Sequence, residues 1–185
     1  VEIASEAFDE VLALVRPGAV ERDLAAEIEF RMKQAGAEDV AFGLIVASGP
    51  RSSLPHGRPS GRTVARGEFI VFDIGARFEG YHSDMTRTVF TGKPDAQARA
   101  LYETVQEAQR RAIEAIRPGV EARDVDAAAR GFIDDAGHGG RFGHATGHGV
   151  GLQAHEAPRI GPRSQESLAE GMVLTVEPGI YVPGG

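Results

Sequence analysis

The stretch HATGHGVGLQAHE, residues 144–156, places His144, His148 and His155 within thirteen positions. Histidines at such density suggest metal ligation. A helical zinc site would set two histidines four apart around a glutamate on one helical face. His144 and His148 are four apart, but Ala145, Thr146 and Gly147 lie between them, and Gly149 and Gly151 follow. That much glycine disfavours a helix. The segment reads as strand and turn, and its spacing does not say which histidine binds. Three carboxylates extend the chemistry. Asp73 lies inside the apolar run FIVFDI, Asp84 follows in YHSDMTRT, and Glu177 ends the apolar run MVLTVE. An ionised carboxylate taken out of water costs several kcal/mol unless it is paired or bound to a cation. A hard, oxygen-rich set with one imidazole and no thiolate suits Mn²⁺, Co²⁺, Fe²⁺ or Zn²⁺.

The elements that must position these groups follow from pattern. Residues 69–74 are short and rich in β-formers, which predicts a buried strand. Residues 81–90 read as its returning partner, with the turn near Glu79-Gly80. If the turn holds an even number of residues, Asp73 and Asp84 fall on one face, opposite or diagonal. An odd loop puts them on opposite faces. Residues 170–182 have the same form, with Glu177 at the end of an apolar strand just before Pro178-Gly179.

An internal repeat links the two regions. RPGAVERDLAAEIEFRMKQAG (16–36) echoes RPGVEARDVDAAARGFIDDAG (117–137) at one constant offset. Each copy follows an apolar helical pattern, Phe8, Val11, Leu12 and Val15 in the first and Leu101, Val105, Ala108 and Ile113 in the second. Pro-Gly ends each helix, and Asp23 and Asp124 are the expected N-caps of the next. AFG (41–43) is matched by RFG (141–143), His56 by His155, and RGEFIVFDIG (66–75) by EGMVLTVEPG (170–179). Asp73 therefore corresponds to Glu177. The expectation is an α+β fold of two repeated α-β halves with antiparallel sheet and a site between them.

Composition narrows the classes. At 185 residues the chain can bury one sizeable core. A net charge of −7 without a basic run argues against nucleic-acid binding. With no cysteine there is no disulfide and no thiolate metal site, which fits a reducing compartment and a cytoplasmic location. No apolar run is long enough to span a bilayer, and no signal-peptide pattern is present. The chain starts at Val1 inside a helical pattern and stops at Gly185 in a turn-like VPGG. Residues 1–185 are accordingly expected to be a single domain cut at both ends.

SLPHG (53–57), FDIGARFEGYHSDMTRT (72–88), HATGHGVGLQAHEAP (144–158) and EPGIY (177–181) together resemble the pita-bread metallopeptidases. That family comprises methionine aminopeptidases, Xaa-Pro aminopeptidases and Xaa-Pro dipeptidases (prolidases). The resemblance covers essentially the whole chain and is nearer the proline-specific branch. It implies two divalent metal ions, Mn²⁺ first among them, with Asp73, Asp84, His148 and Glu177 as ligands and Asp84 bridging. It makes Glu177 also the base acting on the attacking water, and it sets His56 and His155 against the substrate. His144 is expected to be a hydrogen-bonded structural residue, and His82 and His138 to lie at the surface or behind the ligands. The family's fifth ligand, a second bridging glutamate, falls in a strand after EPG, beyond Gly185. The implied function is hydrolysis of the N-terminal Xaa-Pro bond of small peptides. The alternatives are a methionine aminopeptidase and a non-catalytic pita-bread binding module. Family members are often dimers, so a homodimer is among the expectations.

Overall fold

Apolar spacing decides which helices form. The computed structural model describes residues 1–183 and contains α1 (Glu2–Leu12), α2 (Glu21–Gln34), α3 (Ala96–Ala115) and α4 (Ala122–Ile133). In α1 the buried residues are Ala4, Ala7, Phe8 and Val11, an i, i+3, i+4, i+7 stripe. In α2 they are Glu21, Leu24, Ala25, Ile28 and Met32, and in α4 Ala122, Val125, Asp126, Ala129 and Ile133. The α2 and α4 sets coincide position for position at one offset, so the repeat in the sequence is a repeat in burial. The apolar stripe expected for α3 is shifted. Ala108 and Ala112 form its buried face, while Ile113 is exposed. Small side chains on this face let α3 lie close against α4.

Asp23 and Asp124 are not the helix caps. The N-cap positions are Val20 and Glu121, and neither makes a side-chain cap. The orphan amides of the first turn are satisfied by neighbouring backbone instead. Glu21 N donates to Arg62 O and Arg22 N to Ser60 O, while Ala122 N donates to Glu166 O. Val20 bridges Thr63 and Glu121 bridges Ser167 in the same antiparallel sense. Asp23 and Asp124 sit within the first turn, where negative charge suits the positive helix end.

The chain divides into two compact units, Val1–Pro94 with Leu152–Ala154, and Asp95–Gly151 with His155–Tyr181. The first unit holds β1 (Asp39–Val40), β2 (Ile45–Ser48), β3 (Phe69–Ile74), β4 (Ala76–Phe78), β5 (Tyr81–His82) and β6 (Met85–Phe90). These form two antiparallel sheets, ordered β2-β3-β6 and β1-β4-β5. Its core gathers Phe8, Ile28, Met32, Ile70, Phe72 and Ile74 under α1 and α2. The second unit holds β7 (Gly147–Gly149) and β8 (Glu156–Ile160), paired antiparallel, and a smaller core of Ala108, Ala112, Val125, Ala129, Ile133, Phe142, Ile160 and Leu168. The turn expected over residues 182–185 includes Gly184 and Gly185, which lie outside the described residues. Among the described residues no helix is long and apolar enough to cross a membrane.

Candidate metal centre

The carboxylates of the first unit stand on one long hairpin. Phe78 pairs with Tyr81, so the turn holds two residues, Glu79 and Gly80, with φ of 50° and 79°. Positive φ at both positions is the geometry that matches the twist of a tight hairpin. The register set there continues inward. Ser83 N donates to Ala76 O, Ile74 stands opposite Met85, and Asp73 opposite Thr86. The loop is even, and Asp84 falls diagonal to Asp73 on the same face. The returning strand is divided into β5 and β6, because the hairpin's tip pairs with β1 in a second sheet. At the division a Cβ on Gly75 would collide with Ser83 O, so the crossing requires a glycine.

Asp73 is less enclosed than its apolar neighbours suggest. Strand β3 alternates, with Ile70, Phe72 and Ile74 buried and Phe69, Val71 and Asp73 half-buried on the other face. The carboxylate therefore faces away from the core, and Thr86 Oγ1 donates to its Oδ1 at 3.2 Å.

In the second unit His148 lies in the middle of β7, in strand as the glycines imply. The strand expected over 170–182 is present only as a partial ladder. Gly149 bridges Leu174, Thr175 N donates to His148 O and Glu177 N to Thr146 O, and Pro178 then has no N–H to continue. Within that ladder His148 Nδ1 lies 2.9 Å from Gly149 O, and its Nε2 lies 3.1 Å from Glu177 Oε1. The contact to Gly149 O requires a proton on Nδ1, which in neutral imidazole leaves the lone pair on Nε2. A lone pair and a carboxylate oxygen at that separation are two acceptors facing each other, and a cation between them satisfies both. The donor set thus fits a divalent metal ion. When a proton rather than a cation bridges the pair, burial pushes the Glu177 carboxyl up, but hydrogen bonds from the protonated His148 and from Thr175 outweigh it and hold it below the usual carboxylate range.

The remaining histidines separate by environment. His155 is exposed, and its ring lies 4.2 Å from that of His148 at an interplanar angle of 38°. His56 is exposed in the turn Leu54–Gly57 of the first unit. His144 is hydrogen-bonded through both nitrogens, to Ala145 O at 2.7 Å and Tyr181 Oη at 2.8 Å, as a structural histidine would be. His138 contacts Arg141, and His82 is half-buried on β5.

Sequence reading missed Thr175. Its Oγ1 accepts from His148 N at 3.0 Å and donates to Glu177 Oε1 at 2.9 Å, tying the two groups together. Its position two residues before Glu177, on the same side of an extended chain, was the available signal. Two buried carboxylates on helices, Glu21 and Asp126, were also missed.

A model of metallopeptidase family M24 matches residues 1–185. The chain belongs to that family. Divalent metal ions are implied by membership. Among curated M24 relatives, the Xaa-Pro dipeptidase of Pyrococcus furiosus is 48% identical over 182 residues, 98% of this chain and 52% of the relative. The uncharacterised peptidase YqhT of Bacillus subtilis is 45% identical over 98% of this chain and 52% of its own length. The chain spans about half the length of the curated relatives it matches. Among solved structures, an X-Pro aminopeptidase from Thermotoga maritima is 46% identical with a TM-score of 0.97, covering 100% of this chain and 52% of that one. The prolidase from Pyrococcus furiosus gives 48% identity and a TM-score of 0.97, covering 99% and 54%. The M24 chain has the pita-bread fold, in the proline-specific branch of the family.

Proposed function

We propose that the full-length protein is a metal-dependent exopeptidase that hydrolyses the N-terminal Xaa-Pro bond of small peptides. In this reading Asp73, Asp84, His148 and Glu177 hold two divalent ions, with Mn²⁺ preferred over Co²⁺, Zn²⁺ or Fe²⁺, and residues 1–185 belong to one catalytic domain. The observation that carries it is the opposition of His148 Nε2 and Glu177 Oε1 at 3.1 Å, two acceptors set for a shared cation. The relatives, an Xaa-Pro dipeptidase and an X-Pro aminopeptidase, supply the substrate class.

Bound there, two ions would bring the pKa of a water near neutrality and polarise the scissile carbonyl. Neutral His148 binds through Nε2, its Nδ1 proton held by Gly149 O. Glu177, whose Oε1 accepts from Thr175 Oγ1, takes the proton of the attacking water on a carboxylate oxygen and returns it to the leaving amine. His155 and His56 donate to the carbonyl oxygen as it gains charge. The free α-amino group of the peptide is drawn to the acidic end of the site, which restricts cleavage to the first residue. Neither nucleic acid nor a membrane takes part. A cytoplasmic homodimer is the assembly to check by light scattering.

The test is hydrolysis by Mn²⁺-loaded full-length protein of Ala-Pro, Ala-Pro-Ala and Met-Ala-Ser. Cleavage of a proline peptide, abolished in folded D84A and H148A variants, is the expected result. Ala-Pro against Ala-Pro-Ala separates dipeptidase from aminopeptidase. Preference for Met-Ala-Ser would replace the reading by a methionine aminopeptidase, and turnover of none of the three by a binding module.

A further inference from the structure

Glu21 is fully buried in the first turn of α2, and the chemistry above does not use it. Its oxygens are saturated with donors. Oε1 accepts from Ser48 N and Ser48 Oγ, both at 2.8 Å. Oε2 accepts from Ser60 N at 3.1 Å, Ser60 Oγ at 2.6 Å and Arg51 Nε at 3.2 Å. Ser48 ends β2, and Ser60 closes the loop that follows it. His56 lies between them, in the turn closed by Gly57 N donating to Leu54 O. Arg51 staples the loop internally. While its Nε rests on Glu21, its Nη2 donates to Arg58 O, just past His56. One buried carboxylate thus ties both ends of the loop that carries His56, and one guanidinium joins that anchor to the loop's far arm. Holding an exposed loop in one conformation costs backbone entropy at every residue, so such anchors must be strong. Hydrogen bonds to an ionised carboxylate are stronger than those between neutral groups.

We propose that Glu21 and Arg51 are positioning residues for peptide hydrolysis, acting through His56 by fixing its loop rather than by touching substrate. This rests on the proposed reading of His56 as a group that faces the substrate. A purely structural role for the pair would cost the same whether or not His56 is present, whereas a positioning role would not.

The experiment is a double-mutant cycle on the full-length Mn²⁺-loaded protein with Ala-Pro and Ala-Pro-Ala. Arg51 is about a third exposed, which makes R51Q the mildest way to cut the clamp. R51Q is expected to lower kcat/KM roughly tenfold or more, the scale of one charged hydrogen bond, with metal content unchanged. In the H56A background the same substitution should cost less than about twofold. Amide exchange across residues 52–59 should accelerate in R51Q and in E21Q, with α1 unchanged. An equal cost of R51Q in both backgrounds, no cost in either, or unaltered exchange would overturn the clamp while leaving the peptidase reading intact. Full activity in H56A would remove His56 from the chemistry and the clamp's role with it. Failure of the wild-type protein to cleave either proline peptide would overturn both.

Discussion

The two units are built on one plan and differ in where they place buried charge. In the first, Glu21 opens α2 at the position where α4 has Ala122, and in the second Asp126 lies where α2 has Ala25. The carboxylate has moved by about one helical turn, yet its task is the same. Glu21 takes the N–H and hydroxyl of Ser48, and Asp126 takes those of Thr146. Each also holds an arginine that clamps nearby backbone, Arg51 on Arg58 O and Arg130 on Phe142 O and His144 O. The constraint therefore lies in the strand-end amide that must be satisfied, and the helix can answer it from either of two turns. A second difference concerns the strands that carry the proposed ligands. Asp73 stands on a regular three-stranded ladder over a core of large residues, whereas Glu177 stands on a partial ladder where the hydroxyl of Thr175 replaces a missing backbone partner.

Experiments can break this comparison at several levels. The largest effect is expected at the close chain crossings, where a Cβ on Gly75 would meet Ser83 O and one on Gly147 would meet Thr175 O. G75A and G147A should each cost more than about 4 kcal/mol in urea unfolding. G131A, with open space around it in α4, should cost nothing or stabilise by about 0.5–1 kcal/mol. Similar values for G147A and G131A would show that the second unit's ladder yields where the first does not.

Next in size are the buried carboxylates. D126A strands the mostly buried Arg130 and should cost about 3–5 kcal/mol. E21A should cost less, about 1–3 kcal/mol, because Arg51 is nearer to water. The reverse order would mean that helix position matters more than the exposure of the paired arginine. At the strands of the proposed ligands, T175V should weaken Mn²⁺ binding about 10–100-fold in a calorimetric titration, since it frees both His148 and Glu177. T86V removes one hydroxyl from Asp73 and should have the smaller effect. Equal losses would place the two strands on the same footing.

Acid should then weaken the first unit through Glu21 and Glu68. For Glu21 burial pushes the carboxyl up, but donors from Ser60 and Ser48 hold it below its ordinary value of 4.5. For Glu68 the Arg62 guanidinium is the main cause of the same displacement. A carboxyl whose folded pKa is depressed contributes stability that is complete above 4.5 and is lost as pH falls through the lower folded value. Urea unfolding should therefore be flat from neutrality to about pH 5 and fall below it, with a shallower fall in E21Q. An unchanged acid slope in E21Q would assign the loss elsewhere. The smallest effect is expected for E107Q. Glu107 is held to a pKa of about 2 by Arg110 and Arg111 on the exposed face of α3, where water screens the pairs, so the melting temperature should not move measurably.

Much of this was legible in the sequence, for identifiable reasons. The repeat at 16–36 and 117–137 reappeared as matching buried stripes, because helical periodicity records which face meets the core. The Glu79-Gly80 turn was legible because few residues accept positive φ, and its two-residue loop put Asp73 and Asp84 on one face. The N-caps were misread because Asp23 and Asp124 carry the right side chain, whereas the first-turn amides found backbone partners at Ser60, Arg62 and Glu166. Ile113 was misassigned because it is large and apolar, although Ala112 is the residue that keeps the helical period with Leu101, Val105 and Ala108 and lies buried.

Sequence by itself determined the residue types, the order of the elements, the repeat, and the carboxylate and imidazole inventory that marks this metallopeptidase family. These depend on local periodicity and motif spacing, which are written along the chain. Tertiary structure alone decided which face of β3 Asp73 occupies, that Thr175 joins His148 to Glu177, and that Glu21 and Asp126 anchor segments far away in sequence. Those facts depend on which distant donor reaches which acceptor, and such pairings are fixed only when the chain closes on itself.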